Sequence, residues 1–115
     1  MNEDQVREAG RGASPVDAHL PEVQALCRRF GVRRLDVFGS AATGRFDPAR
    51  SDLDFLVEYA PDASAKAHLG LLRALEDLFG RKVDLLTERG LQNPFLRRRI
   101  DSERRTLYPN AMISN

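Results

Sequence analysis

The chain has 115 residues, which is enough for one domain with a modest hydrophobic core. Its 18 basic and 17 acidic residues give a net charge of +1, so we expect no direct binding of nucleic acid through a basic surface. Cys27 is the only cysteine, which excludes a disulfide within the chain and a cysteine-rich zinc site. No apolar run is long enough to cross a bilayer, and we expect a cytoplasmic protein that binds no membrane.

The first part of the chain predicts a tail, a helix and a strand. Residues 1–17 lack periodicity and carry glycine and proline, so they are predicted to form a flexible tail ahead of a domain over residues 18–108. The stretch LPEVQALCRRFG predicts a helix that starts at Leu20 and stops at Gly31. The stretch RRLDVFG then predicts the first strand.

Turn signals divide the rest of the chain into further elements. SAATG, which follows Gly39, predicts a short helical turn, and DLDFLVEY predicts the second strand. SAKAHLGLLRALEDLFG predicts an amphipathic helix, and KVDLLT predicts a third strand. A final helix is predicted over residues 93–108 and a second tail over residues 109–115. This order predicts an α/β or α+β fold in which helices flank a small, mostly three-stranded mixed sheet.

Two carboxylates stand at the start of the second predicted strand. Asp52 and Asp54 are expected to point to the same face, while Leu53 points into the core. Carboxylates this close repel each other unless positive charge lies between them. Mg²⁺ would remove the conflict, because it binds one or two carboxylates together with substrate phosphates. The alternative is a solvent-facing strand surface on which arginines such as Arg45 or Arg50 neutralise the aspartates.

Two more features are expected near this pair. Gly39 and Ser40 end the first strand and open a helical turn, where free backbone N–H groups and the hydroxyl could bind phosphate. Ordinary capping of that turn is the structural alternative. Asp84 interrupts the apolar third strand, and it would join Asp52 and Asp54 if this strand pairs beside the second. Otherwise Asp84 would lie on the exposed face of an edge strand.

These motifs resemble the nucleotidyltransferase superfamily typified by DNA polymerase β, whose signature is Gly-Ser followed by Asp-x-Asp. The similarity is closest to the minimal nucleotidyltransferases, short prokaryotic proteins paired with HEPN-domain toxins, and it extends from Leu20 to Tyr108. Eleven residues separate Ser40 from Asp52, one more than the commonest spacing in the family. Many members carry an arginine where this chain has Thr43, with Arg45 placed two residues later.

The resemblance implies a nucleotidyltransferase fold and transfer of AMP from ATP to a tyrosine of a HEPN ribonuclease toxin, which would make the protein an antitoxin. The implied catalytic residues, which would also be the ligands of two Mg²⁺ ions, are Asp52, Asp54 and Asp84. The implied nucleotide-binding residues are Gly39, Ser40 and Arg45.

Two other functions remain open at the level of the sequence. A non-catalytic antitoxin would neutralise its toxin by binding alone, although such a module gains nothing from clustered carboxylates. A nucleotidyltransferase that modifies a small molecule is the third alternative. The arginines at 97–99 and 104–105 form either a solvated helix face or a rim near the nucleotide or an acidic partner.

Overall fold

The computed structural model describes residues 14–109. The helices are α1 (Pro15–Ala18), α2 (Leu20–Arg29), α3 (Ser40–Thr43), α4 (Ala67–Phe79) and α5 (Pro94–Glu103). The strands are β1 (Val32–Phe38), β2 (Leu53–Tyr59), β3 (Val83–Thr87) and β4 (Arg105–Tyr108). The helices and strands predicted between residues 20 and 87 are all present, with small shifts at their ends.

The strands form one mixed sheet in the order β3-β2-β1-β4. Strand β1 pairs antiparallel with both β2 and β4, whereas β2 and β3 run parallel. The α+β fold class is therefore confirmed, but the prediction of three strands is wrong because the sheet has four.

The extra strand comes from the end of the predicted final helix. That helix was expected over residues 93–108, but α5 ends at Glu103 and the following residues form β4. Leu107 is 1% exposed and its neighbours are half-buried, which is the alternation of a strand. A four-residue strand is too short to show this period against a preceding helical pattern, although threonine and tyrosine both favour strands.

The end of the predicted N-terminal tail is also ordered. Ser14 accepts a hydrogen bond at Oγ from the N–H of Val16 at 3.0 Å, and the Val16 side chain is fully buried. The tail prediction is therefore wrong for residues 14–17, because a single apolar residue that anchors a turn produces no periodic signal. Residues 1–13 and 110–115, which make up most of the two predicted tails, lie outside the described residues.

Helices α2 and α4 cover one face of the sheet and bury the main core with it. Alternate residues of the strands supply its sheet side, including Leu35, Phe55 and Leu85, and Leu71 of α4 packs against them. Cys27 is fully buried here, and burial raises the pKa of its thiol to about 12. It is therefore a neutral core residue at ordinary pH.

Helix α5 covers the opposite face, where apolar and charged residues are mixed. Phe38, Leu56 and Ile100 form the centre of a second apolar cluster. No helix within residues 14–109 is long and apolar enough to span a membrane.

Beside this cluster, the fully buried carboxylate of Asp36 is held by the guanidinium of Arg104. Arg104 also binds Glu88 at 2.8 Å and Asp101 at 2.9 Å, so one side chain links β1, β3 and α5. Partial burial acts to raise the pKa of Glu88, but hydrogen bonds from Arg104 and Arg97 outweigh it and lower the pKa below its usual value.

Arg104→Gln is expected to lower the free energy of unfolding by about 3 kcal/mol, because it removes the less exposed of the two guanidinium groups that pair with the buried Asp36 and leaves only Arg34 at 3.1 Å. Arg105→Gln is the matched control, because the side chain of Arg105 is 45% exposed and that of its partner Asp17 is 53% exposed. That change should cost about 0.5 kcal/mol. Urea unfolding at neutral pH measures both, and equal effects of the two substitutions would contradict the structural role of Arg104.

Candidate active site

Two aspartates lie side by side where β2 and β3 begin. The parallel register of these strands pairs Asp54 with Asp84, and both side chains are half-buried on the α5 face of the sheet. This pairing places their carboxyl groups next to each other on neighbouring strands. Two carboxylates this close repel each other, which favours the protonated form of Asp54.

The surroundings of Asp54 make its ionisation unfavourable. Burial is the largest cause, followed by the charge and hydrogen bond of Asp84 and the charge of Asp52, and together they raise the pKa of Asp54 from 3.8 to about 6. The positive charge of Arg99 acts in the opposite direction. The site is therefore short of positive charge, a condition that a cation would relieve.

Asp52 lies just before β2 rather than within it, and its side chain is exposed. The backbone around it is fixed on both sides. Arg81 donates from Nη1 to the carbonyl oxygen of Ser51 at 3.0 Å, and the N–H of Leu53 donates to the carbonyl oxygen of Lys82 at 3.2 Å. The predicted pairing of the third strand beside the second is present and makes Asp84 the register partner of Asp54, whereas the role of Asp52 beside them stays a prediction.

Gly39 brings the backbone at the end of β1 against the side chain of Asp54. Its backbone has φ 73° and ψ −152°, a combination that is essentially restricted to glycine. A Cβ atom at this position would overlap Oδ2 of Asp54. Gly39 is therefore required both by its conformation and by the close approach of Asp54, and Ser40 follows it as the first residue of α3.

Two residues of α5 reach the same place. Sequence reasoning considered Arg99 only as a member of the arginine cluster at 97–99, and it did not single out Glu103. Glu103 accepts a hydrogen bond at Oε1 from the N–H of Gly39 at 3.1 Å. Its other oxygen lies 3.4 Å from Nε of Arg99, one helical turn earlier. The sequence signal was the i, i+4 spacing of opposite charges, but that spacing is also typical of exposed helix surfaces.

The arginines that were considered as partners of the aspartates do not take that role. Arg45 and Arg50 are exposed, and neither forms an ion pair with Asp52 or Asp54 among residues 14–109. The backbone N–H of Arg45 donates to the carbonyl oxygen of Ser40 at 3.1 Å, which places Arg45 directly after the α3 turn.

The aspartates suit a hard cation by their donor chemistry. No group of three acidic, histidine or cysteine side chains in the described part of the chain is already spaced to enclose a metal ion. Mg²⁺ does not require such a cage, because it usually combines one or two carboxylates with water and phosphate oxygens. The carboxylate oxygens and the raised pKa of Asp54 fit an ion that arrives with a nucleotide.

The geometry agrees with comparisons with known proteins. A family model described as "Nucleotidyltransferase domain" matches residues 23–107. Protein adenylyltransferase MntA of Thermococcus cleftensis is 36% identical over 80 residues, which cover 70% of this chain and 77% of the relative. A solved structure provisionally described as a minimal nucleotidyltransferase matches with a TM-score of 0.67 and 40% identity, covering 78% of this chain and 90% of its own.

A further structural match extends the likeness in fold. It is a chain from the complex of the tri-AMPylated Shewanella oneidensis HEPN toxin with its MNT antitoxin, with a TM-score of 0.58. The match covers 80% of this chain and 71% of the other, at 19% identity, and therefore indicates a common fold alone.

Gly39→Ala is expected to destabilise the protein by about 3 kcal/mol, because it combines backbone strain with displacement of Asp54. Gly44→Ala is the control: Gly44 also has a positive φ of 79°, but nothing lies within 4 Å of its Cβ position. Its cost should be about 1 kcal/mol. Thermal and urea unfolding of the two variants provide the comparison, and similar losses would show that the contact with Asp54 is unimportant.

Asp54→Asn is expected to stabilise the protein without metal or nucleotide by about 1 kcal/mol near neutral pH, a modest figure because the half-exposed carboxylate is screened by water. Folding raises the pKa of Asp54 from 3.8 to about 6. Protonation of Asp54 therefore stabilises the folded state fully below pH 3.8, and this contribution to stability is lost as the pH rises through about 6. The gain from asparagine should therefore disappear on acidification through this range.

Urea unfolding in EDTA across this pH range measures the effect. Glu58→Gln serves as the control, because Glu58 lies on the same face of β2 but 3.8 Å from Arg33. A variant Asp54→Asn that is less stable than the wild type near neutral pH would contradict the electrostatic account.

Proposed function

Because this chain belongs to the nucleotidyltransferase domain family, we propose that it transfers AMP from ATP to a tyrosine hydroxyl of a HEPN-domain toxin. The protein is then a cytoplasmic antitoxin that inactivates its partner by covalent modification. The observation that carries the proposal is the pairing of Asp54 with Asp84 in the strand register, with the backbone of Gly39 against Asp54. No arginine within residues 14–109 forms an ion pair with these aspartates. The relative MntA, a protein adenylyltransferase by name, supports a protein as the acceptor.

Asp52 and Asp54, together with Asp84, are the residues proposed to hold Mg²⁺. When bound, Mg²⁺ would supply positive charge to the phosphates of ATP and lower the repulsion among the carboxylates. The reaction joins the tyrosine oxygen to the α-phosphorus of ATP and breaks the bond from that phosphorus to the bridging oxygen, so pyrophosphate leaves.

The other residues of the site position the substrates. The N–H of Gly39 and the hydroxyl of Ser40 are proposed to donate to the β- and γ-phosphates, and Arg45 stands close enough in sequence to add a guanidinium. Asp84 is proposed to orient the attacking hydroxyl and to accept its proton. No nucleophilic side chain is required, because catalysis depends on position and charge.

The test is incubation with α-labelled ATP, Mg²⁺ and the product of the neighbouring gene, as the candidate HEPN-domain partner. We expect mass spectrometry to find AMP on a tyrosine of that protein. Asp52→Asn should lower the rate by about 100-fold or more. Asp62→Asn is the control, because Asp62 is exposed beyond the far end of β2 and should not affect the rate.

Three outcomes separate the alternatives. Inhibition of the toxin without AMP transfer would indicate an antitoxin that acts by binding. Transfer of AMP only to a small molecule would indicate a different acceptor. Transfer to the toxin that persists in Asp52→Asn would overturn the assignment of the site.

A further inference from the structure

A carboxylate of the protein itself occupies the backbone donor next to Asp54. The N–H of Gly39 donates to Oε1 of Glu103 at 3.1 Å, and Oε2 of Glu103 lies 3.4 Å from Nε of Arg99. Both side chains come from one face of α5, four residues apart. An anion is thus held between a backbone amide and a guanidinium, beside the carboxylate of Asp54.

Arg99 differs from the other arginines of α5 in its environment. Arg97 is bound to Glu88 at 2.9 Å. Arg98 leans over the ring of Phe95, which is itself 75% exposed. Arg99 is 64% exposed, and its ion-pair partner within residues 14–109 is Glu103. Its guanidinium is therefore accessible to a ligand while it stays close to the aspartates.

The pairing of Arg99 with Glu103 also has an electrostatic consequence. Glu103 neutralises part of the charge of Arg99 and places a carboxylate against Gly39, whose backbone also lies against Asp54. The amide and the guanidinium that hold Glu103 are the kinds of donor that bind phosphate oxygens, and guanidinium does so with two parallel hydrogen bonds. The single N–H of Gly39 serves one acceptor, so a phosphate oxygen that binds there has to displace Glu103, and the two anions repel each other.

We propose that Arg99 is an arginine that binds the triphosphate of ATP, and that Glu103 holds Arg99 and the N–H of Gly39 only until the nucleotide displaces it. This inference rests on the proposed function and adds an exchange of anions to it. The charge of Arg99 also lowers the pKa of Asp54, which agrees with a position at the site.

The experiment measures the binding of α,β-methylene ATP with Mg²⁺ by isothermal titration calorimetry, so that no transfer occurs. Arg99→Ala should weaken binding by about 10- to 100-fold, because a charge-assisted contact is lost. Glu103→Gln should tighten binding by about 3-fold or more, because the amide keeps a hydrogen-bond acceptor but no longer competes as an anion. Arg98→Ala is the matched control and should leave the affinity unchanged.

Opposite signs distinguish this exchange from a purely structural ion pair. If Arg99 and Glu103 only fixed α5 in place, both substitutions would impair binding in the same direction. AMP provides a second readout, since loss of Arg99 should affect it much less than the triphosphate. Glu103→Gln should tighten binding less in the Arg99→Ala background than in the wild-type protein.

The outcomes also separate this inference from the proposed function. If the wild-type protein binds the analogue and Arg99→Ala binds it with the same affinity, the inference is overturned and the proposed function is not. Weaker binding in Glu103→Gln would overturn it as well. No binding of the analogue by the wild-type protein would overturn both the inference and the proposed function.

Discussion

The parallel register between β2 and β3 is the constraint on which the site depends. It places Asp54 directly beside Asp84, and the pleat of the sheet turns both side chains to the α5 face. A shift by one residue would send Asp54 into the apolar core and Leu53 to the site. The apolar residues on either side of Asp54 therefore determine the position of the carboxylate, since Leu53 and Phe55 are both fully buried on the opposite face.

The two faces of the sheet differ in polarity, and this difference explains the positions of Arg97 and Arg104. The face under α2 and α4 is apolar and supplies most of the core. The face under α5 carries Asp36 and Glu88 as well as the aspartates of the site, so the covering helix must bring positive charge. Arg97 and Arg104 meet that need by structural ion pairs, and neither is free to act on a nucleotide.

Sequence patterns predicted the parts of the fold that repeat over several turns or alternations. The helices α2 and α4 and the strands β1, β2 and β3 have enough residues to show a period, and the motif around Asp52 and Asp54 carried the family resemblance. Strand β4 was missed because its four residues follow directly on a helical pattern. Short elements depend on their neighbours for stability, and those neighbours are distant in sequence.

The charged contacts were not predictable from local patterns for a related reason. Asp36 lies in an apolar strand with no local sign that its partner is Arg104, 68 residues away. The contact between Gly39 and Glu103 likewise spans 64 residues. Local spacing could suggest that Arg99 and Glu103 pair, but only the fold shows that the pair faces the end of β1.

Helix α5 is fastened at both ends. Oδ1 of Asn93 accepts hydrogen bonds from the N–H groups of Phe95 and Leu96 at 2.9 and 3.2 Å, and Arg104 ties the other end to β1 and β3. Any exchange at Arg99 and Glu103 therefore needs rotation of side chains rather than displacement of a helix. Such rotations take picoseconds to nanoseconds at exposed positions. Admission of a ligand past these two residues would accordingly be limited by diffusion to the site and not by slow rearrangement of the backbone.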